Sequence, residues 1–139
     1  MRNIKPINVF CFSVLFFSLS FSQNGSLNIS VTNAKGNKGR IYVAIYNDET
    51  NFLKKHFTGN SSVITNDVAF FSFTVPKGTY AISAFHDENS NGILDKNVLG
   101  IPKERYGFSN NAKGFMSAPS FEQAKVSVTG NKNIEIKLH

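Results

Sequence analysis

The sequence predicts one all-β domain, a single antiparallel β-sandwich of six to seven strands, after an N-terminal signal peptide. Two observations lead to this prediction. Apolar and polar residues alternate in short runs after residue 23, which is the pattern of strands with one buried face. Turn signals rich in glycine and asparagine separate the runs, and a chain of 139 residues has room for one such domain.

The beginning of the chain has the pattern of a secretory signal peptide. Two basic residues precede an apolar stretch at residues 7–21, and the small side chains of Ser20 and Ser22 predict cleavage after Ser22. The stretch is roughly 15 residues long, whereas a membrane-spanning helix needs about 20. We therefore expect a division into residues 1–22 and 23–139, export to the periplasm or the extracellular surface, and no membrane span after processing.

Charge and cysteine usage narrow the classes of partner. Loss of Arg2 and Lys5 with the signal peptide lowers the formal net charge from +6 to +4, and the remaining lysines are scattered without interleaved aromatic residues. That pattern does not favour nucleic-acid binding, which needs a basic stripe with stacking aromatics. The single cysteine, Cys11, lies in the signal peptide, so the exported domain has neither disulfides nor thiolate metal sites. An envelope protein or a glycan is the expected partner.

Runs of alternating apolar residues predict the strands in chain order. The runs are Leu27/Ile29/Val31, Ile41/Val43/Ile45, Phe71/Phe73/Val75, Tyr80/Ile82/Ala84, Ala124/Val126/Val128 and Ile134/Ile136/Leu138. A further short strand is a candidate near residues 62–65. The core is expected to contain Ile41, Val43, Ile45, Phe71, Phe73, Tyr80, Ile82, Val126, Val128, Ile136 and Leu138.

Two connecting segments carry predictions of their own. Residues 129–132 have the chemistry of a hairpin turn and are expected to join the last two strands as a hairpin. Residues 48–59 are the helix candidate, because Phe52 and His56 would lie on one side of a helical turn. We expect a turn or one small helix there.

Two resemblances refine the fold. Residues 71–82 resemble the Pro-x-Gly hairpin of transthyretin-like and collagen-adhesin B-type sandwiches, in which a tyrosine begins the return strand, as Tyr80 does here. The exported chain as a whole resembles the bacterial family catalogued as domain of unknown function 2141. The blocks that carry this resemblance lie at residues 39–46, 78–81, 86–89, 91–95, 99–104 and 106–110. The resemblances imply export and a transthyretin-like or immunoglobulin-like sandwich, and they imply no particular chemistry.

Residues 87–95 resemble the beginning of an EF-hand-type calcium loop. In such a loop alternate side-chain oxygens converge, a glycine (here Gly92) allows the sharp turn, and the next residue offers its backbone carbonyl. The predicted metal ligands are Asp87, Asn89, Asn91, the carbonyl of Ile93, and Asp95. We therefore expect Ca²⁺ as a cofactor that stabilises the domain.

The loop departs from the EF-hand pattern where a bidentate glutamate is usual, because Val98 occupies that position. Glu104 and Glu88 are the candidates for an additional ligand. With only Asp87 and Asp95 contributing formal charge, the expected affinity is weak, with a Kd on the order of 0.1–1 mM. The alternative interpretation is a plain turn in which the asparagines bond to their own backbone.

His86 suggests an alternative function, an envelope hydrolase with a site near His86, Asp87 and Glu88. Adjacent strand residues point to opposite faces, so His86 and Asp87 are poorly placed to act as a hydrogen-bonded pair. We expect a strand histidine at a sheet end and identify no catalytic residue.

Residues 98–120 lack periodicity, and loops this long in small domains are often functional. The candidate partner-binding residues are Arg105, Tyr106, Phe108, Phe115 and Met116. Tyr106 and Phe108 are expected to hold the loop over the end of the sandwich, which leaves Phe115 and Met116 for exposed contact. The sequence thus predicts a non-enzymatic exported binding or accessory module of the cell envelope, or alternatively a carbohydrate-binding module that uses this loop.

Overall fold

The computed structural model describes residues 23–139, where the chain forms two β-sheets around one hydrophobic core. The predicted signal peptide, residues 1–22, lies outside the described residues. The all-β prediction is confirmed, because most of the regular structure in this part of the chain is strand. In chain order the elements are β1 (Asn24–Thr32), β2 (Arg40–Tyr46), β3 (Thr58–Ser62), β4 (Ala69–Pro76), β5 (Gly78–Asp87), β6 (Tyr106–Phe108), a 3₁₀ turn (Ser109–Asn111), α1 (Phe121–Ala124), β7 (Val126–Val128) and β8 (Asn131–Lys137).

The first sheet contains three strands in the order β4-β1-β8. Strand β1 is antiparallel to β4, with Ile29 opposite Phe71. It is parallel to β8, with Ile29 opposite Ile134. The expectation of a purely antiparallel sandwich is therefore wrong for this pair of strands.

The turn at residues 129–132 does not form the predicted hairpin. The strand before it, β7, pairs with β5 in the second sheet, whereas β8 pairs with β1 in the first sheet. Turn residues set the direction of the chain only locally, while the partner of each strand depends on which strand edge is free and which face must be buried. The same turn chemistry therefore carries the chain from one sheet to the other.

The second sheet has the order β3-β2-β5-β6, and β7 pairs with the beginning of β5. Strand β3 lies before its predicted position at residues 62–65, and Ala124 ends α1 instead of lying in a strand. Strand β6 lies in the segment without periodicity and was not predicted, because three residues are too few for alternation to be visible. Residues 23–139 thus contain eight strands where six or seven were expected.

The helix candidate at residues 48–59 consists of turns followed by the start of β3, which confirms the expectation of a turn. Asp48 organises the first turn, since its Oδ1 atom accepts a hydrogen bond from the Asn51 backbone N–H at 2.8 Å. The hydrogen bonds from Asn51 lower the pKa of the Asp48 carboxyl group below its ordinary value. No helix within residues 23–139 is long and apolar enough to cross a membrane.

The core lies between the two sheets and contains nearly all of the predicted side chains. Phe73 is the exception, because it is only partly buried. Its strand, β4, is at the edge of the three-stranded sheet, and the Phe73 ring stacks on that of Phe71 with centroids 6.4 Å apart.

The Pro-x-Gly segment joins β4 to β5, which are separated by Lys77 alone. The hairpin expected from the resemblance is not formed, because β4 and β5 belong to different sheets and do not pair. The Tyr80 hydroxyl donates a hydrogen bond to the Pro76 carbonyl at 2.5 Å, and burial raises the pKa of Tyr80 above its ordinary value. This contact fixes the first end of β5. The other end of the strand, at Asp87, leads into the long connection to β6 that contains the predicted calcium loop.

Candidate cation-binding loop

Asp87 is the last residue of β5, and its side chain is fully buried. Its Oδ1 atom accepts a hydrogen bond from the Asn91 backbone N–H at 3.1 Å, and its Oδ2 atom accepts one from the Gly92 N–H at 2.8 Å. Gly92 has a φ of +79°, a backbone conformation that glycine adopts without steric cost. The chain therefore folds back around the Asp87 carboxylate.

The side chains of Asn89, Asn91 and Asp95 converge beside this turn. The Asn89 Nδ2 atom donates to Asp95 Oδ2 at 2.6 Å. The Asn91 Nδ2 atom lies 3.0 and 3.1 Å from the two Asp95 carboxylate oxygens. Three of the predicted ligands, Asn89, Asn91 and Asp95, are thus joined by hydrogen bonds in which the two amide nitrogens face the Asp95 carboxylate.

The two asparagines also form Asx turns with their own backbone. Asn89 Oδ1 accepts a hydrogen bond from the Asn91 N–H at 3.2 Å, and Asn91 Oδ1 accepts one from the Ile93 N–H at 3.1 Å. An amide oxygen has two lone pairs, so one such bond leaves it able to accept a second contact. The same bonds are the ones that the plain-turn interpretation requires.

Glu104 closes the loop from the far side. This side chain is buried, and its Oε1 atom accepts a hydrogen bond from the Glu88 N–H at 2.9 Å. Its Oε2 atom accepts one from the Asp95 N–H at 3.0 Å. Glu104 therefore joins Glu88 and Asp95, near the two ends of the loop, whereas Val98, at the usual position of the twelfth ligand, is fully exposed.

His86 anchors the loop to the connection between β1 and β2. It is fully buried, its Nδ1 atom accepts a hydrogen bond from the Lys35 N–H at 3.1 Å, and its Nε2 atom lies 2.7 Å from the Lys38 carbonyl. Because a backbone N–H can only donate and a carbonyl can only accept, these contacts fix the tautomer with hydrogen on Nε2. Both ring nitrogens are thus used in holding the backbone, at the sheet end where the strand histidine was expected.

Carboxylates alone do not make a metal centre in this loop. Within residues 23–139, no group of three histidine, cysteine, aspartate or glutamate side chains is arranged to hold a metal ion. A cation here would depend on amide and main-chain oxygens in addition to Asp87 and Asp95. That donor set suits a hard cation, which prefers oxygen ligands of mixed type.

The chain matches the profile of a family described as "Uncharacterized protein conserved in bacteria (DUF2141)" over residues 29–137. The chain belongs to this family. A search of the curated proteins and a search of the solved structures found no match. Membership in DUF2141 confirms the resemblance seen in the sequence blocks, and the function must be argued from the loop and its surroundings.

The predicted partner-binding segment of this DUF2141 domain divides into buried and exposed parts. Phe108 is buried, and Tyr106 packs against it edge to face with ring centroids 6.0 Å apart. The Arg105 Nη1 atom donates to the Asn33 carbonyl at 2.8 Å. Phe108 fills a second, smaller apolar cluster with Ala81 and Ala124, so it holds the loop, as expected, and is not available as a contact residue. Phe115 and Met116 are 90% and 93% exposed.

A small depression of about 210 Å³ lies beside this segment and includes Tyr106, Lys113 and His139 in its wall. Burial, and then the positive charges of Lys113 and Lys137, lower the pKa of His139 below its ordinary value. An uncharged imidazole at neutral pH follows from that direction of shift.

Two structural features of the DUF2141 domain were not predicted from the sequence. Ser109 is fully buried and bonds to β5 and α1, but an isolated serine in a loop gives no signal of such a role. The second feature is an exposed apolar turn at residues 97–101, flanked by lysines. The sequence does indicate this turn, because three aliphatic residues fall within four positions in a segment that has neither strand nor helix periodicity.

Proposed function

We propose that this protein is an exported, non-enzymatic binding or accessory module of the cell envelope, whose loop at residues 87–95 is stabilised by weakly bound calcium. The observation that carries the proposal is the convergence of Asn89, Asn91 and Asp95 beside the buried carboxylate of Asp87. A loop that brings the Asp87 and Asp95 carboxylates and two side-chain amides together at the end of a strand can supply oxygen ligands to a hard cation and fix the segments that follow it.

The oxygen inventory supports calcium over a transition metal. The predicted ligands are two carboxylates, two amide oxygens and the main-chain carbonyl of Ile93, and the loop offers no thiolate or imidazole. Calcium takes six to eight oxygen ligands in flexible geometry, whereas magnesium needs a near-ideal octahedron. Glu104 lies against both ends of the loop and is the residue in place to complete the ligand set.

Export and the sandwich type belong to the same proposal. The signal-peptide pattern of residues 1–22 and the absence of cysteine after Cys11 support a periplasmic or extracellular location. The two sheets around one core support a sandwich of the transthyretin-like or immunoglobulin-like kind. The contacts of His86 with the Lys35 and Lys38 backbone favour a structural role for this residue over catalysis.

Calcium titration of thermal stability tests the proposal. A cation that binds the folded state alone adds RT ln(1 + [Ca]/Kd) to the free energy of unfolding. With a Kd of about 0.1 mM, about 5 mM calcium adds roughly 2 kcal/mol, which raises the Tm by several degrees. The Asp87→Asn and Asp95→Asn variants are expected to lose this increase, and magnesium is expected to substitute poorly.

Asp67→Asn is the matched control, because Asp67 is exposed on another turn and has a φ of +61° that asparagine also tolerates. This variant should keep the full calcium-dependent rise in Tm. Identical melting curves in chelator and in calcium for the unmodified protein would overturn the calcium proposal and leave the loop as a plain turn.

A further inference from the structure

Residues 95–103 form a short protruding hairpin, here called the tip hairpin. Lys96 and Pro102 pair across it, and the Lys103 N–H donates to the Asp95 carbonyl at 2.8 Å. The Asn97 N–H donates to the Ile101 carbonyl at 2.9 Å and closes the turn. The tip hairpin therefore continues directly from the last residue of the candidate calcium loop.

The side chain of Asn97 makes the turn rigid. Its Oδ1 atom accepts hydrogen bonds from the Leu99 N–H at 2.9 Å and from the Ile101 N–H at 3.0 Å. The Gly100 N–H donates to the Asn97 carbonyl at 3.0 Å. Because Asn97 accepts hydrogen bonds from three backbone N–H groups of the turn, the turn holds a fixed arrangement that needs little ordering on contact.

The aliphatic side chains of this turn form an apolar surface for which the fold provides no partner. Val98 is 103% exposed, Leu99 is 79% exposed and Ile101 is 56% exposed. Ile93, on the preceding loop, is also exposed. Single exposed aliphatic residues are ordinary on protein surfaces, but three within four positions at the end of a rigid protrusion indicate a contact site.

Two lysines flank the apolar tip. Lys96 and Lys103 are both exposed on the arms of the tip hairpin, and neither takes part in the ion pairs found within residues 23–139. The tip hairpin thus has aliphatic side chains at its turn and positive charges on the arms next to that turn. A lipid bilayer presents the complementary order, with anionic headgroups outside and acyl chains beneath.

The composition of the tip hairpin favours a lipid surface over a protein or glycan. The energetic centres of protein interfaces are enriched in tryptophan, tyrosine and arginine, and lysine is depleted there. The tip hairpin contains none of the three enriched residue types, has no aromatic ring on which a sugar could stack, and is flanked by lysine on both arms. Its shape is a protrusion, whereas sites for small molecules are concave.

We propose that the tip hairpin docks on an anionic lipid surface, with Val98, Leu99 and Ile101 entering the interface and Lys96 and Lys103 contacting the headgroups. This inference rests on the proposed binding function and names its partner. It does not require a cation in the neighbouring loop, although a bound calcium ion would add positive charge at the same end of the molecule.

Co-sedimentation with lipid vesicles tests the inference on the purified protein. Vesicles of equal parts phosphatidylcholine and phosphatidylglycerol are compared with vesicles of phosphatidylcholine alone. We expect binding to the anionic vesicles that weakens as salt is added, because the contact of the lysines is screened. The double variant Val98→Ser/Leu99→Ser should bind at least about tenfold more weakly, since two aliphatic side chains no longer leave water. Lys96→Gln/Lys103→Gln should reduce binding to the level seen on phosphatidylcholine.

Val63→Ser/Phe70→Ser is the matched control, because it removes two exposed apolar side chains that flank a separate turn, at residues 65–68. This variant should bind like the unmodified protein, and melting curves should show that every variant is folded. Absence of binding to anionic vesicles, or unchanged binding by Val98→Ser/Leu99→Ser, would overturn the lipid inference. A calcium-dependent rise in Tm without vesicle binding would refute the lipid inference alone, and vesicle binding without that rise would refute the calcium proposal alone.

Discussion

At the scale of single residues, Gly39 shows why the end of β5 tolerates so little change. Its φ is +80°, and a Cβ atom placed on it would lie 2.0 Å from the Asp87 carbonyl oxygen. Both the backbone conformation and the close approach of the two chains therefore require glycine. The residue sits where the connection from β1 presses against the start of the candidate calcium loop.

We predict that Gly39→Ala lowers the free energy of unfolding by at least about 2 kcal/mol, because strain at positive φ adds to a backbone collision. Gly36→Ala is the control, since Gly36 has a φ of +75° and no atom within 4 Å of the added Cβ. That variant should lower the free energy of unfolding by only about 1 kcal/mol, the cost of placing alanine at a positive φ. Equal losses for the two variants in urea denaturation would show that the contact with Asp87 is unimportant.

Phe71 and Phe73 provide a second comparison between residues on one strand. Phe71 is buried, and Phe73 is partly buried at the sheet edge. Phe71→Ala is expected to cost about 3–5 kcal/mol, the usual range for a buried phenylalanine. Phe73→Ala should cost clearly less, because part of its ring already contacts water. A denaturation experiment in which Phe73→Ala is the more damaging variant would contradict the burial of the two rings.

At the scale of elements, β5 has a gap along one edge. Strand β7 pairs with residues 78–80 and β6 pairs with residues 83–85, so the Ile82 N–H lies between them. The Ser109 hydroxyl fills this gap, because its Oγ atom accepts from the Ile82 N–H at 2.9 Å and donates to the Ala124 carbonyl. One side chain thereby ties β5, the 3₁₀ turn and α1 together.

Ser109→Ala is predicted to cost about 1–3 kcal/mol, since a buried backbone N–H and a carbonyl would lose their partner. The same substitution at Ser127, which is exposed on β7, should change stability by no more than about 0.5 kcal/mol. Thermal or urea unfolding of the two variants measures the difference. If Ser109→Ala were as mild as Ser127→Ala, water or another group would have to satisfy the Ile82 N–H.

The elements also show where sequence patterns stop being informative. Alternation of apolar residues located β1, β2, β4 and β5, because long half-buried strands repeat the pattern often enough to be recognised. It could not locate β6, and it could not assign β7 and β8 to different sheets. Strand pairing depends on contacts between residues far apart in the chain, and the turn at residues 129–132 has the same composition in either case.

At the scale of the whole molecule, the candidate site could be predicted only where its residues lie close together in the sequence. The spacing of Asp87, Asn89, Asn91 and Asp95 is visible in the sequence, and the structure places their side chains on one loop. The clamp by Glu104 depends on a segment that returns to the loop 16 positions after Glu88, so the sequence could name Glu104 only as a candidate. The contacts of His86 with the Lys35 and Lys38 backbone span about fifty positions and have no local pattern.

The position of β1 has a consequence for the order of folding. This strand comes first among the described elements, yet it lies at the centre of its sheet, and both strands that pair with it come later in the chain. The Asn28 side chain bonds to Ser72, 44 positions away, and to Asn133, 105 positions away. A chain delivered amino terminus first would keep one edge of β1 unpaired until its last strand, β8, emerged. Pairings this distant are typical of domains that fold in milliseconds to seconds, an interval in which unpaired edges can join those of other chains.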